Sequence, residues 1–138
     1  MANKILLEVV TPSKLVVSEE VELVTAPGGE GVFGVMANHA PLLTTIRIGE
    51  LHYTDGGNMV RLALSGGFCD VSKNRMTVLA ESAEISTEID VERALRAKER
   101  AERRLQEAEA RKGEIDLARA RAALFRALVR LHVGGHQA

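Results

Sequence analysis

The sequence predicts a mixed chain, β first and then α: an N-terminal β-sandwich or flattened barrel of about ten short strands, followed by a C-terminal antiparallel two-helix hairpin. Three observations carry this class. Before Ile89 β-branched residues and glycines dominate, whereas after it the chain is Ala, Arg, Glu and Leu with one internal glycine until Gly134. Apolar residues of the first part come in short period-two or continuous runs, and those of the second recur every three or four residues. Turn formers bound each run of the first part, and the second part carries helix start and stop signals. The expected organisation is a β-sandwich domain over 1–86 and a helical hairpin over 87–138.

Strands are expected in the runs Ile5 to Val10, Leu15 to Val17, Val21 to Ala26, Met59 to Leu64 and Met76 to Ala80. Asp55-Gly56-Gly57-Asn58 joins two of them as a hairpin turn, and Lys73-Asn74 forms another, because Gly and Asn tolerate the positive φ that such turns require. Gly29-Glu30-Gly31-Val32-Phe33-Gly34 matches the spacing GxGxxG. A dinucleotide loop would open a helix at its third glycine, yet Asn38 and Pro41 interrupt the next turn, so the segment reads as a glycine-rich bend. Ser65-Gly66-Gly67 resembles half a nucleophile elbow, but Ala63 stands where the first glycine of GxSxG belongs, and a tight strand connection fits better.

His39, between Asn38 and Pro41, has no local nucleophile or acidic partner and reads as a loop-fixing residue. Cys69, in a strand-like stretch beside Phe68 and Val71, reads as a small hydrophobe. His52, His132 and His136 are too scattered for a metal site, so neither a catalytic set nor a metal site is expected.

From Asp90 the positions Ala94, Ala97, Ala101, Leu105 and Ala108 form a narrow alanine seam, with Glu92/Arg96, Glu99/Arg103 and Glu107/Arg111 placed to pair at i,i+4. Either Thr87 with Asp90 makes a capping box or Asp90 is itself the N-cap. Gly113 interrupts the pattern. A second helix follows from Ile115 to His132, with Leu117, Leu124, Leu128 and Leu131 on one stripe and Ala118, Ala122, Phe125 and Val129 on another, ended by Gly134-Gly135. The first helix covers only one of those stripes, so the other requires the sandwich or a further subunit.

At 138 residues the chain is about one domain long. One cysteine excludes an intrachain disulfide and suits a reducing cytoplasmic setting. The N-terminal run is too short and too polar for a signal peptide, and no stretch is apolar enough for a membrane span. A net charge of -1 hides an asymmetry, since Leu117 to Ala138 hold Arg119, Arg121, Arg126 and Arg130 and no acid. With few aromatic residues, the stacking platforms of a single-strand nucleic-acid binder are largely missing.

In a hairpin centred near Gly113, Arg93 falls level with Arg130 and Arg100 with Arg126. Four guanidiniums at one height repel unless an anion or carboxylates lie among them, and the planar fork of arginine suits phosphate. A polyphosphate is the natural guest; a solvated basic face is the plainer reading.

Gly31-Val32-Phe33-Gly34-Val35, Asn38-His39-Ala40-Pro41-Leu42, Ser65-Gly66-Gly67-Phe68, Ile89-Asp90 with Arg93-Ala94, and Lys98 to Leu105 together resemble one family along essentially the whole chain. It is the ε subunit of bacterial F-type ATP synthase, equivalent to δ in mitochondria. The resemblance implies a noncatalytic rotor subunit on the cytoplasmic face of the bacterial inner membrane. Its sandwich grips the γ subunit and the c-ring, and membrane contact comes only through the complex. Its hairpin lies folded or extends along γ to the α and β subunits of the catalytic head, where it inhibits ATP hydrolysis. No cofactor is required, and no nucleic acid is a partner.

In some members the folded hairpin binds ATP as a regulatory ligand through Ile or Leu, Asp, two residues, Arg, Ala. The matching positions here are Ile89, Asp90, Arg93 and Ala94, with Arg100, Arg126 and Arg130 on the two arms and Glu84 as a further contact. The segment Glu107 to Gly113 is longer than in some ATP-binding relatives, which shifts the relative height of the arms. The competing readings are a nucleic-acid-binding adaptor using the basic last helix, and a small enzyme built on His39.

Overall fold

The computed structural model describes residues 3–111 and 114–135. Two compact units divide between Ile85 and Ser86. The first holds strands β1 (Ile5–Val10), β2 (Leu15–Val21), β3 (Leu23–Gly28), β4 (Gly31–Met36), β5 (Leu42–Asp55), β6 (Asn58–Ser72), β7 (Arg75–Ala80) and β8 (Ala83–Ile85). They form one sheet in the order β2-β1-β7-β6-β5-β3-β4, with β8 added on β6. The β1/β7 pair is parallel, and every other pairing is antiparallel.

The described strands number eight rather than about ten, because β5 and β6 each continue through a break in the pattern. In β6, Leu62 and Leu64 point inward, but beyond Gly66 and Gly67 the inward residues are Cys69 and Val71 while Phe68 is exposed. An unbroken strand would keep one parity. Gly66 and Gly67 make the change with φ of 103° and 148°, values that favour glycine. A Cβ on Gly67 would also collide with the carbonyl oxygen of Leu79. The strand changes neighbours at the same place, from β8 over Leu62–Leu64 to β7 over Gly67–Ser72. β5 switches parity in step, from Ile46 to Leu51 and Tyr53. Ser65-Gly66-Gly67 is therefore a kink inside one strand and not a connection between two.

Both expected hairpin turns are present. Gly56 and Gly57 (φ 59° and 83°) link the paired Asp55 and Asn58, and Lys73 and Asn74 (φ 50° and 58°) link Ser72 and Arg75. Positive φ at both central residues matches the right-handed twist of the flanking strands. The GxGxxG segment turns at Gly29 and Glu30 and runs from Gly31 into strand β4 instead of opening a helix, with Gly28 and Gly31 paired across the two-residue turn. The core between the layers is built from Ile5, Leu7 and Val9 of β1, Val24 of β3, Leu51 of β5, Leu62 and Leu64 of β6, and Met76 and Val78 of β7. Cys69 belongs to this core, and burial pushes its thiol up to about 12, so it behaves as a small hydrophobe.

The second unit opens with a 3-10 turn over Ser86–Glu88 and continues with α1 (Val91–Arg111) and α2 (Glu114–Gly134), which pack against each other. Asp90 is the N-cap: its Oδ1 accepts the backbone N–H of Arg93 at 3.0 Å. The buried face of α1 is Ala94, Ala101 and Ala108, as the seam predicts. Among the described side chains of α2 the buried residues are Ala120, Ala127, Val133 and Gly134, whereas Phe125 and Leu128 are exposed. Neither expected stripe of α2 is its buried seam. Small side chains let two helix backbones approach closely, which bulkier leucines prevent. At the far end Gly134 packs on Ile89 and Val91, whose Cγ2 atoms lie 3.1 Å from where its Cβ would be. The pairs Glu92/Arg96 and Glu99/Arg103 do not close to within ion-pair distance. Glu107/Arg111, the Gly113 turn and His136 fall outside the described side chains and residues.

Candidate functional site

The site is assembled from spacing along two antiparallel helices. Ala94, Ala101 and Ala108 recur every seven residues on α1, and Ala120, Ala127 and Gly134 do the same on α2. These small residues form the layers of the seam, and the arms are symmetric about a point between positions 112 and 113, since the helices are bounded by Val91–Arg111 and Glu114–Gly134 and Gly134 packs on Ile89 and Val91. With 3.6 residues per turn, a residue one before or three after a layer residue leaves the seam on one flank. A residue one or four after it leaves on the other.

That rule sorts the hairpin into two chemically different flanks. One carries Leu95, Leu105, Leu124, Leu128 and Leu131. The other carries Arg93, Arg100, Arg126 and Arg130, the four arginines expected to converge, together with Arg104 and Arg119. Arg93, Arg100, Arg104 and Arg126 are exposed and Arg130 is half-buried. Among the described residues no carboxylate lies within ion-pair distance of Arg93, Arg100, Arg104 or Arg126.

The helix bounds set the relative heights of the arginines. Equidistant from the point between positions 112 and 113, Arg130 is level with Leu95, two residues from Arg93, and Arg126 with Glu99, one residue from Arg100. Arg93 therefore lies about 3 Å along the axis from the height of Arg130, at 1.5 Å per residue. Ile89 and Ala94 are buried and furnish packing at the base of α1. Asp90 is exposed, with one oxygen engaged as the cap. Glu84 lies in the β unit, half-buried on β8 and paired across the ladder with Ala63. Arg104 was not among the expected residues. Its signal is the repeat of Arg-Ala-x-x-Arg at Arg100 to Arg104 and at Arg126 to Arg130.

The other candidate chemistry is structural. Nδ1 of His39 donates to the Ala40 carbonyl at 2.6 Å, a local loop contact. Ser65 Oγ meets Ser82 Oγ at 2.6 Å, where β6 changes partners. On the outer face of the β unit an apolar row crosses four strands: Phe68 of β6 faces Leu79 of β7, which faces Val10 of β1, which faces Leu15 of β2. Phe68, Leu79 and Leu15 are 59%, 54% and 55% exposed, enough to make the row a surface feature.

Two family models cover nearly the whole chain: the beta-sandwich domain of the ATP synthase Delta/Epsilon chain over residues 4–86, and its long alpha-helix domain over 87–135. The chain belongs to the ATP synthase delta/epsilon family. It is 51% identical over 136 residues to the ATP synthase epsilon chain of Nitratidesulfovibrio vulgaris, covering 99% of each. With the epsilon chain of Desulfitobacterium hafniense it shares 47% over 132 residues, covering 96% of this chain and 97% of the relative. A chain in the cryo-EM structure of the Euglena gracilis mitochondrial ATP synthase, comprising OSCP, F1 and c-ring, superposes with a TM-score of 0.80 at 25% identity, over 96% of this chain and 82% of that one.

As an epsilon chain it is a noncatalytic central-stalk subunit of ATP synthase, and its partners are other parts of that complex. The relatives lend nothing to the adaptor or enzyme readings. No helix among the described residues is long and apolar enough to cross a membrane.

Proposed function

We propose that this epsilon chain couples the γ subunit to the c-ring through its β unit and regulates the motor through its hairpin. Folded, the hairpin holds ATP; extended, it reaches the α and β subunits of the catalytic head and inhibits ATP hydrolysis. The observation that carries the nucleotide site is the gathering of arginines from both arms on one flank of the hairpin, next to the Ile89-Asp90-x-x-Arg93-Ala94 motif. Since that flank exists only when the arms lie side by side, ATP stabilises the folded form by binding it preferentially. The row Phe68, Leu79, Val10 and Leu15 supports docking on γ, because an exposed apolar stripe across four strands gains by being covered. The corresponding location is the cytoplasmic face of the bacterial inner membrane, held there by the complex.

Isothermal titration of the full chain with ATP tests the site. Wild type is expected to give a saturable heat that an Arg93→Ala, Arg126→Ala double variant loses. Negligible heats from both would remove the nucleotide site and leave the family assignment standing.

A further inference from the structure

Gly134 stands in the last turn of α2 for a reason that neither the helix nor its end supplies. Glycine is among the poorest helix formers, and the φ of Gly134 lies outside the left-handed region, so the position is not a helix stop that needs glycine's freedom. Space decides it instead. A Cβ there would lie 3.1 Å from Cγ2 of Ile89 and 3.1 Å from Cγ2 of Val91, closer than carbon atoms ordinarily approach. The smallest residue of the seam thus receives two β-branched side chains. Both are stiff about χ1 and do not readily swing aside. Ile89 and Gly134 are buried, and the neighbouring Val133 is fully so.

This seat lies where it has the most leverage. Gly134 and Val91 are level, the one ending α2 and the other beginning α1, so the contact joins the two helix ends farthest from the turn. Each arm has 21 residues, about 32 Å at 1.5 Å per residue. When the arms part by bending at the turn, their far ends separate most for a given angle, and a contact there opposes the first degrees of opening more than any other along the seam. The two side chains also flank Asp90, whose carboxylate caps α1 through the N–H of Arg93. The end of α2 is therefore fastened to the start of α1 itself.

We infer that the seat of Gly134 on Ile89 and Val91 is the clasp that keeps the hairpin folded, and that its release frees the arm to extend. This rests on the reading above in which the extended arm inhibits hydrolysis, and it names the contact that holds that inhibition off.

Two measurements test it. In the free full chain, Gly134→Leu should speed limited proteolysis within 91–134 by about tenfold or more, because leucine favours the helix but does not fit the seat. Gly135→Leu, at the exposed next position, should change it by less than about twofold. The fluorescence of Tyr53 should be the same in both, which shows the β unit intact. Equal cleavage of the two variants would overturn the clasp.

The second measurement locks the clasp in the assembled ATP synthase with Val91→Cys, Gly134→Cys. Val91 Cγ2 lies 3.1 Å from the Cβ position at Gly134, and about 3 Å separates the Cβ of one cysteine from the sulfur of the other in a disulfide, so the pair is placed to join. Val91 is exposed enough to meet the oxidant diamide, and Cys69 is buried. The oxidised enzyme should lose the inhibition of ATP hydrolysis and regain it with dithiothreitol, while wild type responds to neither. Failure of the cysteines to join would overturn the seat. Inhibition that persists with the bond closed, alongside loosening by Gly134→Leu, would support the clasp and overturn inhibition by the extended arm.

Discussion

Asn74 ties the β6–β7 turn to the loop after β4: its Oδ1 accepts the backbone N–H of Asn38 at 2.9 Å. Its Nδ2 donates to the Lys4 carbonyl at 2.9 Å, so one side chain joins three segments distant in sequence. Asn74 also adopts a φ of 58°, which asparagine tolerates better than most residues. Asn74→Gly keeps that backbone and isolates the two lost hydrogen bonds, at a cost of about 2 kcal/mol. Asn74→Ala should cost about 1 kcal/mol more, because it also meets the left-handed penalty. Urea denaturation of the two variants checks the order; equal midpoints would show that the backbone conformation contributes nothing.

The alanine layers between α1 and α2 leave little room for branched side chains. Ala101→Leu should destabilise the hairpin by about 1–3 kcal/mol through overpacking, although leucine is a good helix former. The chain has one tyrosine, Tyr53, and no tryptophan, so tyrosine fluorescence reports on the β unit alone. Limited proteolysis should cut within 91–134 in the variant while the fluorescence of Tyr53 is unchanged.

Tyr53 is buried, and its hydroxyl donates to Glu19 Oε2 at 3.4 Å. Burial, then the charge of Glu19, push its pKa up from 10.0 to about 12. The folded chain therefore holds this proton more tightly than the unfolded chain does. Its stabilising contribution is fully present below pH 10 and is lost as pH rises toward 12. The buried Cys69 thiol, pushed up from 9.0 to about 12, acts in the same direction. Tyrosinate absorbance in the native protein should appear only near pH 12, and Tyr53→Phe should flatten the alkaline fall in urea midpoint.

Leu79 lies in the middle of the outer apolar row, between Phe68 and Val10. Because it is more than half exposed, Leu79→Asp should leave thermal stability within about 0.5 kcal/mol of wild type. If γ covers this row, the carboxylate must be desolvated at the interface, and co-purification with γ should drop by more than about tenfold. Unchanged recovery of γ would move the docking surface elsewhere on the β unit.

The legible parts of the sequence were those whose chemistry is local. Gly56-Gly57 and Lys73-Asn74 announced their turns because few other residue pairs accept positive φ twice in succession. Asp90 was readable as a cap, and Ala94, Ala101 and Ala108 as a seam, because both signals repeat within one or two helical turns. The continuity of β5 and β6 was hidden, since a change of inward parity at Gly66 and Gly67 looks like two strands with a connection between them. On α2 the leucines outweighed the alanines in apparent hydrophobicity, yet close approach of the backbones selected Ala120 and Ala127. Arg93, Arg100, Arg126 and Arg130 share one flank by helical spacing alone, whereas their relative heights depend on where the arms are symmetric, which no local pattern specifies.

The kink in β5 and β6 has a mechanical consequence. In a sandwich joined only by loops, a shear on one layer is resisted by the packing of side chains between the layers, which can slide. Here two neighbouring strands run without interruption from the part of the sheet next to β7 to the part next to β3 and β8, keeping their mutual ladder. Torque delivered to the face that bears Phe68 and Leu79 is thus carried to the opposite layer along covalent backbone and paired hydrogen bonds. For a subunit turning with a rotor, that makes the β unit a stiff coupling rather than a compliant cushion.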